Sequence, residues 1–196
     1  MSTTLTKLGV WNLALDLIRE APLQSLTEPA AAARWLERNW AHTVDINLQK
    51  YNWDFARERF ALNKDVTDPA FKWSHRYHLP NGTLRVLPFY PGGDETKQAV
   101  RHEVLGNYIE TNEASPLYVS LIMRRMEPGG WSPLFAEVVR LSLALGLAGK
   151  FPGKARYLAE LNQRLREATD LAEEIETFQG SSEPVEQHDI IRVRER

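Results

Sequence analysis

The chain has 196 residues, 43% hydrophobic and 26% charged, with a formal net charge of −2 and no cysteine. That length can bury a core of its own, and the composition is that of a globular protein rather than a disordered one. The near-neutral total lacks the positive field that drives nonspecific phosphate binding, and the absence of cysteine excludes a disulfide framework, a thiolate metal site and a cysteine nucleophile.

Leu8, Trp11, Leu15 and Ile18 recur at steps of three, four and three and predict a first helix, with Thr3 or Thr4 as its cap. The amino-terminal residues carry no basic cluster followed by an apolar run and a small-residue cleavage site, so the expectation is synthesis and retention in a cytoplasm-like compartment. Pro22 ends the first pattern. Thr27-Glu28-Pro29 then reads as a start signal, a capping hydroxyl with proline in the first turn, for a long amphipathic helix to about Gln49 that presents Leu36, Trp40, Val44 and Leu48 on one side.

After Tyr51 the character changes. Prolines at 69, 80, 88, 91, 116 and 128, several glycines and short runs of β-branched and aromatic residues predict strands and turns. Asn81-Gly82 marks a tight turn between RYHLP and TLRVLPFY, and Pro88 and Pro91 demote the second of these to an edge strand or loop. Gly106-Asn107 marks a hairpin between EVL and YIET. PLYVSLIMRR is a strand or the start of a helix.

PGGWSP is a break followed by a start, with Ser132 as N-cap and Pro133 at the first helical position. The helix that follows is apolar on most faces and should be the most buried; its low-charge run LSLALGLAG is too short to cross a bilayer. Phe151-Pro152-Gly153 interrupts it. A last helix, from about 154 to 178, carries the narrow stripe Leu158, Leu161, Leu165, Ala168, Ala172 and Ile175, suited to antiparallel packing or to a neighbouring subunit. The expected organisation is therefore a helical part at 1–52, a β-rich insertion at 53–131, returning helices at 132–179 and an extended tail at 180–196. The expected fold class is α+β: a mainly helical bundle formed by the N- and C-terminal helices, with the insertion between them.

No GxxxxGK[ST], GxGxxG, HExxH or GxSxG occurs in the chain. His75 and His78 are the only close histidines, and a strand sends them to opposite faces, which argues against a metal site. Glu110, Glu113, Glu127 and Glu137 are conceivable members of a hydrolase's carboxylate pair, but each reads more simply as a solvated charge. The stretch YNWDFARERF mixes rings with arginines, as a base-stacking platform would. Because Asp54 and Glu58 interleave with Arg57 and Arg59, the favoured reading has Tyr51, Trp53 and Phe55 anchoring a helical layer on a strand layer. Ile190, Ile191 and Val193 form a strand-like segment that either adds to another chain's sheet edge or groove, or is a chance apolar run in a solvated terminus.

Taken in order, several short pieces resemble one family. They are Trp53-Asp54-Phe55-Ala56 after a helix; Trp73, Tyr77, Leu79 and Pro80 with Leu84, Arg85 and Val86 just beyond; Tyr108-Ile109; Leu117-Tyr118; and Pro133-Leu134-Phe135 opening a helix. This succession, over about residues 30–152, is similar to the head-to-tail adaptor proteins of short-tailed bacteriophages, the tail tubular protein A group. Asn81-Gly82 departs from the acidic residue that many relatives carry there. The resemblance implies a non-enzymatic structural protein of the virion, made in the host cytoplasm and using neither cofactor, metal nor membrane. It implies a dodecameric ring of identical chains between the portal protein and the tail nozzle protein, with DNA passing as cargo through the lumen. It further implies that Ile190, Ile191, Arg192, Val193 and Arg194 reach for the portal, that Tyr51, Trp53 and Phe55 lock the layers, and that Arg57 and Arg59 pair across subunits. The alternatives weighed against it are a virion-associated cell-wall hydrolase and a nucleic-acid-binding module.

Overall fold

A computed structural model of the chain describes residues 5–180, with side chains through residue 175. The first helix, α1 (Lys7–Leu17), is capped by Thr6, whose Oγ1 accepts from the Gly9 amide at 3.1 Å. The cap is thus the threonine next to the apolar repeat, not Thr3 or Thr4, which lie outside the described residues. Helix α2 (Ala31–Lys50) starts two residues beyond Pro29, and its cap, Ala30, offers no side-chain acceptor. The expected start signal is consumed by the loop, where the Glu28 carboxylate accepts from the Gln24 amide at 2.7 Å. Leu36, Trp40, Val44 and Leu48 are buried, as their spacing predicts.

Six strands follow. A 3-10 turn (Asp54–Ala56) leads into β1 (Arg57–Leu62), and then come β2 (His75–His78), β3 (Thr83–Val86), β4 (His102–Leu105), β5 (Tyr108–Thr111) and β6 (Leu117–Met123). They form two antiparallel sheets, ordered β1-β6-β3 and β2-β5-β4. Gly106-Asn107 does turn a hairpin, with Val104 opposite Ile109 and Leu105 opposite Tyr108. The strands flanking Asn81-Gly82 part company: β2 joins β5, and β3 becomes the edge partner of β6.

Helix α3 (Pro133–Lys150) is capped by Ser132, whose Oγ accepts from the Phe135 amide at 3.2 Å, with proline in the first turn as expected. A 3-10 turn (Ala155–Tyr157) precedes α4 (Leu158–Gly180).

The expected fold class needs correcting. The described residues are α+β, with four α-helices and two small antiparallel sheets, and they do not form a bundle of N- and C-terminal helices carrying an insertion. The reason lies in α3. Phe135, Val138, Val139, Leu141, Leu143, Ala144 and Leu147 bury its whole girth, so it accepts neighbours on several sides, whereas the other helices have one apolar stripe each. Helices α1, α2 and α4 each make their principal helix contact with α3, so they surround one helix instead of forming a bundle with one another.

Two cores result. The larger gathers the helices with Trp53, Ala56, Leu87, Ile122 and Trp131; the smaller lies between the sheets and contains Leu62, Tyr77, Leu79, Phe89, Ile109 and Leu117. Strand β6 belongs to both, because alternation sends Val119, Leu121 and Met123 into the small core and Ile122 into the large one.

Candidate functional site

The rings singled out at 51–55 lie in the larger core, at the turn that leads from α2 into β1. Tyr51 closes α2, and the 3-10 turn then swings Phe55 back toward the helices. Trp53 is buried, and its Nε1 donates to the Asn47 carbonyl at 2.8 Å, so the one polar atom of the indole is satisfied by the last turns of α2. Its ring meets Phe135 edge to face, with centroids 5.0 Å apart, and Phe55 meets the same phenylalanine at 5.1 Å. Tyr51 packs on Trp53 at 5.6 Å. From Phe135 the contacts continue through Trp131 at 4.8 Å, the stacked pair Trp131–Trp40 at 5.5 Å, and Trp40–Trp11 at 6.4 Å. Seven rings therefore form a seam from α1 to the start of β1. Edge-to-face geometry of this kind adds about 0.5–1.5 kcal/mol per pair beyond the area buried.

The seam has a charged rim. Arg124, just beyond β6, donates to both carboxylate oxygens of Asp45 on α2, with Nε–Oδ1 at 2.9 Å and Nη2–Oδ2 at 2.5 Å. That bond, and then the charge of Asp45, raise the Arg124 pKa. Arg85 of β3 donates to the Asn52 side chain and, at 3.5 Å, to the Lys50 carbonyl, while burial lowers the pKa of its guanidinium. The rim thus ties the end of α2 to β3 and β6. Nothing in the local sequence pairs these residues, which lie 33 to 79 positions apart.

Arg57 is paired with Asp54 in its own chain, Glu58 with Arg125, and exposed Arg59 lines an open groove of about 410 Å³ between the outer face of β1-β6 and the loop around Phe89. Ile190, Ile191, Arg192, Val193 and Arg194 lie outside the described residues.

Of the candidate carboxylates, Glu127 is exposed and Glu113 half-buried, while Glu110 and Glu137 are paired. Glu110 is buried rather than solvated, and Arg76 donates to it from Nε and Nη2 at 2.9 and 2.6 Å. Directly opposite on β4 stands Glu103, which sequence reasoning did not single out and which accepts from Lys72 at 2.6 Å and from the Trp73 indole at 3.1 Å. The bond from Lys72 and then that from Trp73 hold the Glu103 carboxyl below its usual range, which suits it to keeping a cation rather than to donating a proton. Glu137 pairs with Arg140 and, at 3.9 Å, with Arg164.

Two further concavities flank the first turns of α2. A depression of about 810 Å³ is lined by Leu26, Pro29 and Ala33, and a pocket of about 270 Å³ by Trp35, Lys150 and Phe151. Arg34 and Arg38 form the ridge between them and line both. No protein-family model matches the chain, and no curated protein matches it significantly.

Proposed function

We propose that the chain is a structural virion protein, a head-to-tail adaptor that stacks as a ring between the portal and the tail nozzle of a short-tailed phage and lets DNA through its lumen. The observation that carries this reading is where the resembling pieces lie. Trp53 and Phe55 of one piece meet Phe135 of another, while Tyr77, Leu79, Ile109 and Leu117 from three further pieces share the small core. Short motifs that match by chance would have no reason to converge in space; pieces that specify one fold do. The side chains resembling the family are used for packing, as a scaffold requires, and a net charge of −2 would leave passing phosphates ungripped.

The test is electron microscopy of the purified chain mixed with its phage's portal ring. A second ring stacked on the first is the expected result, and stacking should be lost when the chain is cut after Gly180. Portal rings that remain bare at saturating protein overturn the reading.

A further inference from the structure

The near-zero net charge conceals a separation of charge along α3. At its C-terminal end, Arg34, Arg38 and Lys150 line the 270 Å³ pocket and have no carboxylate partner among the described residues; Arg34 and Arg38 donate only to the carbonyls of Pro29 and Arg34. At the other end lies the second half of α4, where residues 167–175 contain four acids and no base. Of these, Glu167 accepts from Gln163, and among the described residues no ion pair joins Asp170 or Glu174 to a cation. Beside them Leu171 and Ile175 stand 47% and 39% exposed, although they continue the stripe that buries Ala168 and Ala172.

These two surfaces match in spacing as well as in sign. Arg34 and Arg38 are one helical turn apart, about 6 Å along the axis, as are Asp170 and Glu174. Next to the arginine ridge is the apolar depression of Leu26, Pro29 and Ala33; next to the acidic row is the apolar pair Leu171 and Ile175. The depression's own acids are occupied, Glu37 by Lys7 and Glu28 by the Gln24 amide.

The two surfaces cannot meet within one chain. Arg164 contacts Glu137 in the second turn of α3, so α4 runs back along α3 and places residues 171–175 about 10 Å further on, beyond Pro133. The cations stand by Lys150, at the far end of a helix of 18 residues, about 27 Å long. We infer that a second copy of this chain is the occupant, its α4 laying Leu171 and Ile175 in the depression and Asp170 and Glu174 on Arg34 and Arg38. Such a contact is head to tail, so repetition generates a closed ring or an open filament. The inference rests on the adaptor reading only for closure into a ring.

The chain contains no cysteine, which permits a direct test. With Ala31→Cys and Thr169→Cys in one chain, a short bismaleimide should yield a ladder of dimers, trimers and higher species, because the two thiols of one molecule are out of reach of each other. Arg34→Glu/Arg38→Glu should weaken the ladder about tenfold or more, and so should raising salt from about 0.05 to about 0.5 M. A chain with Ala31→Cys and the two arginine reversals, mixed with one carrying Thr169→Cys and Asp170→Arg/Glu174→Arg, should cross-link again, since the swapped charges now face each other. No ladder above that of a control pair at Ala31→Cys and Thr67→Cys, or a ladder indifferent to the reversals, overturns the inference. Rings that stack on portal despite the arginine reversals would leave the adaptor reading standing and remove this contact; a charge-dependent ladder from a chain that ignores portal would do the opposite.

Discussion

The indole of Trp35 on α2 lies so close to Gly146 on α3 that a β-carbon there would sit 2.4 Å from its Cη2. Gly146 is mid-helix, where alanine is intrinsically better than glycine by about 1 kcal/mol. Here the clash decides, since overpacking costs about 1–3 kcal/mol and two ring atoms, Cη2 and Cζ2, would both stand within 3.0 Å of the added carbon. Gly146→Ala should therefore lower the urea midpoint, and in a Trp35→Leu background the same change should be neutral or stabilising. Stabilisation in the wild-type background would show that α2 and α3 are not packed at this distance.

Trp53 joins the turn before β1 to α2 and α3 within the larger core. Trp53→Ala removes its contacts with Tyr51, Phe55 and Phe135 and the bond to the Asn47 carbonyl, so a loss of about 3–5 kcal/mol is expected in chemical denaturation. Arg59→Ala, on the same stretch but exposed, should stay within about 0.5 kcal/mol. Equal effects would contradict the assignment of the rings to packing.

Lys154 closes the C-terminus of α1. Its Nζ donates to the Ile18 and Arg19 carbonyls at 3.0 and 3.1 Å and pairs with Glu20 at 2.8 Å. A charged donor on the orphan carbonyls of a helix end is worth roughly 2 kcal/mol when it is mostly shielded from water. Lys154→Met should cost about that much, and amide exchange should quicken first in the last turn of α1. Unchanged exchange there would refute the cap.

Tyr77 makes stability fall at alkaline pH. Burial first, and then the Glu113 carboxylate, raise its phenol above the ordinary 10.0, while its Oη donates to the Glu113 carbonyl at 2.7 Å. The unfolded phenol ionises near 10.0 and the folded one later, so this contribution is complete below pH 10 and disappears as pH climbs through the raised value. Tyr77→Phe should lose about 1 kcal/mol at neutral pH and show a shallower decline in denaturant midpoint between about pH 9 and about pH 11. An unchanged alkaline slope would clear Tyr77 of that role.

Much of the local structure was legible from the residues alone. Apolar spacing identified all four helices and the buried side of α2; Ser132-Pro133 announced the start of α3, and Gly106-Asn107 announced the β4-β5 hairpin. These signals are short-range, because helix periodicity, capping and tight turns depend on residues a few positions apart. The start of α2 was misplaced because Glu28 bonds backward into its own loop, a choice that residue type does not encode.

What only the tertiary structure decided are the relations across distance. Asn81-Gly82 looked like any tight turn, yet β2 and β3 leave it for different sheets, since their partners β5 and β6 lie up to forty positions later. The bundle expectation failed for the same reason: amphipathic stripes state that a helix must be covered, and not by what, and α3 offered enough apolar girth to cover three of them. Glu110 has the residue type of a surface charge, yet the fold buries it beside Arg76, which lies 34 positions earlier. The sequence by itself settles which faces must leave water, because hydrophobic burial is a property of each side chain. Which faces then meet depends on shape and charge assembled from the whole chain, and that the fold alone supplies.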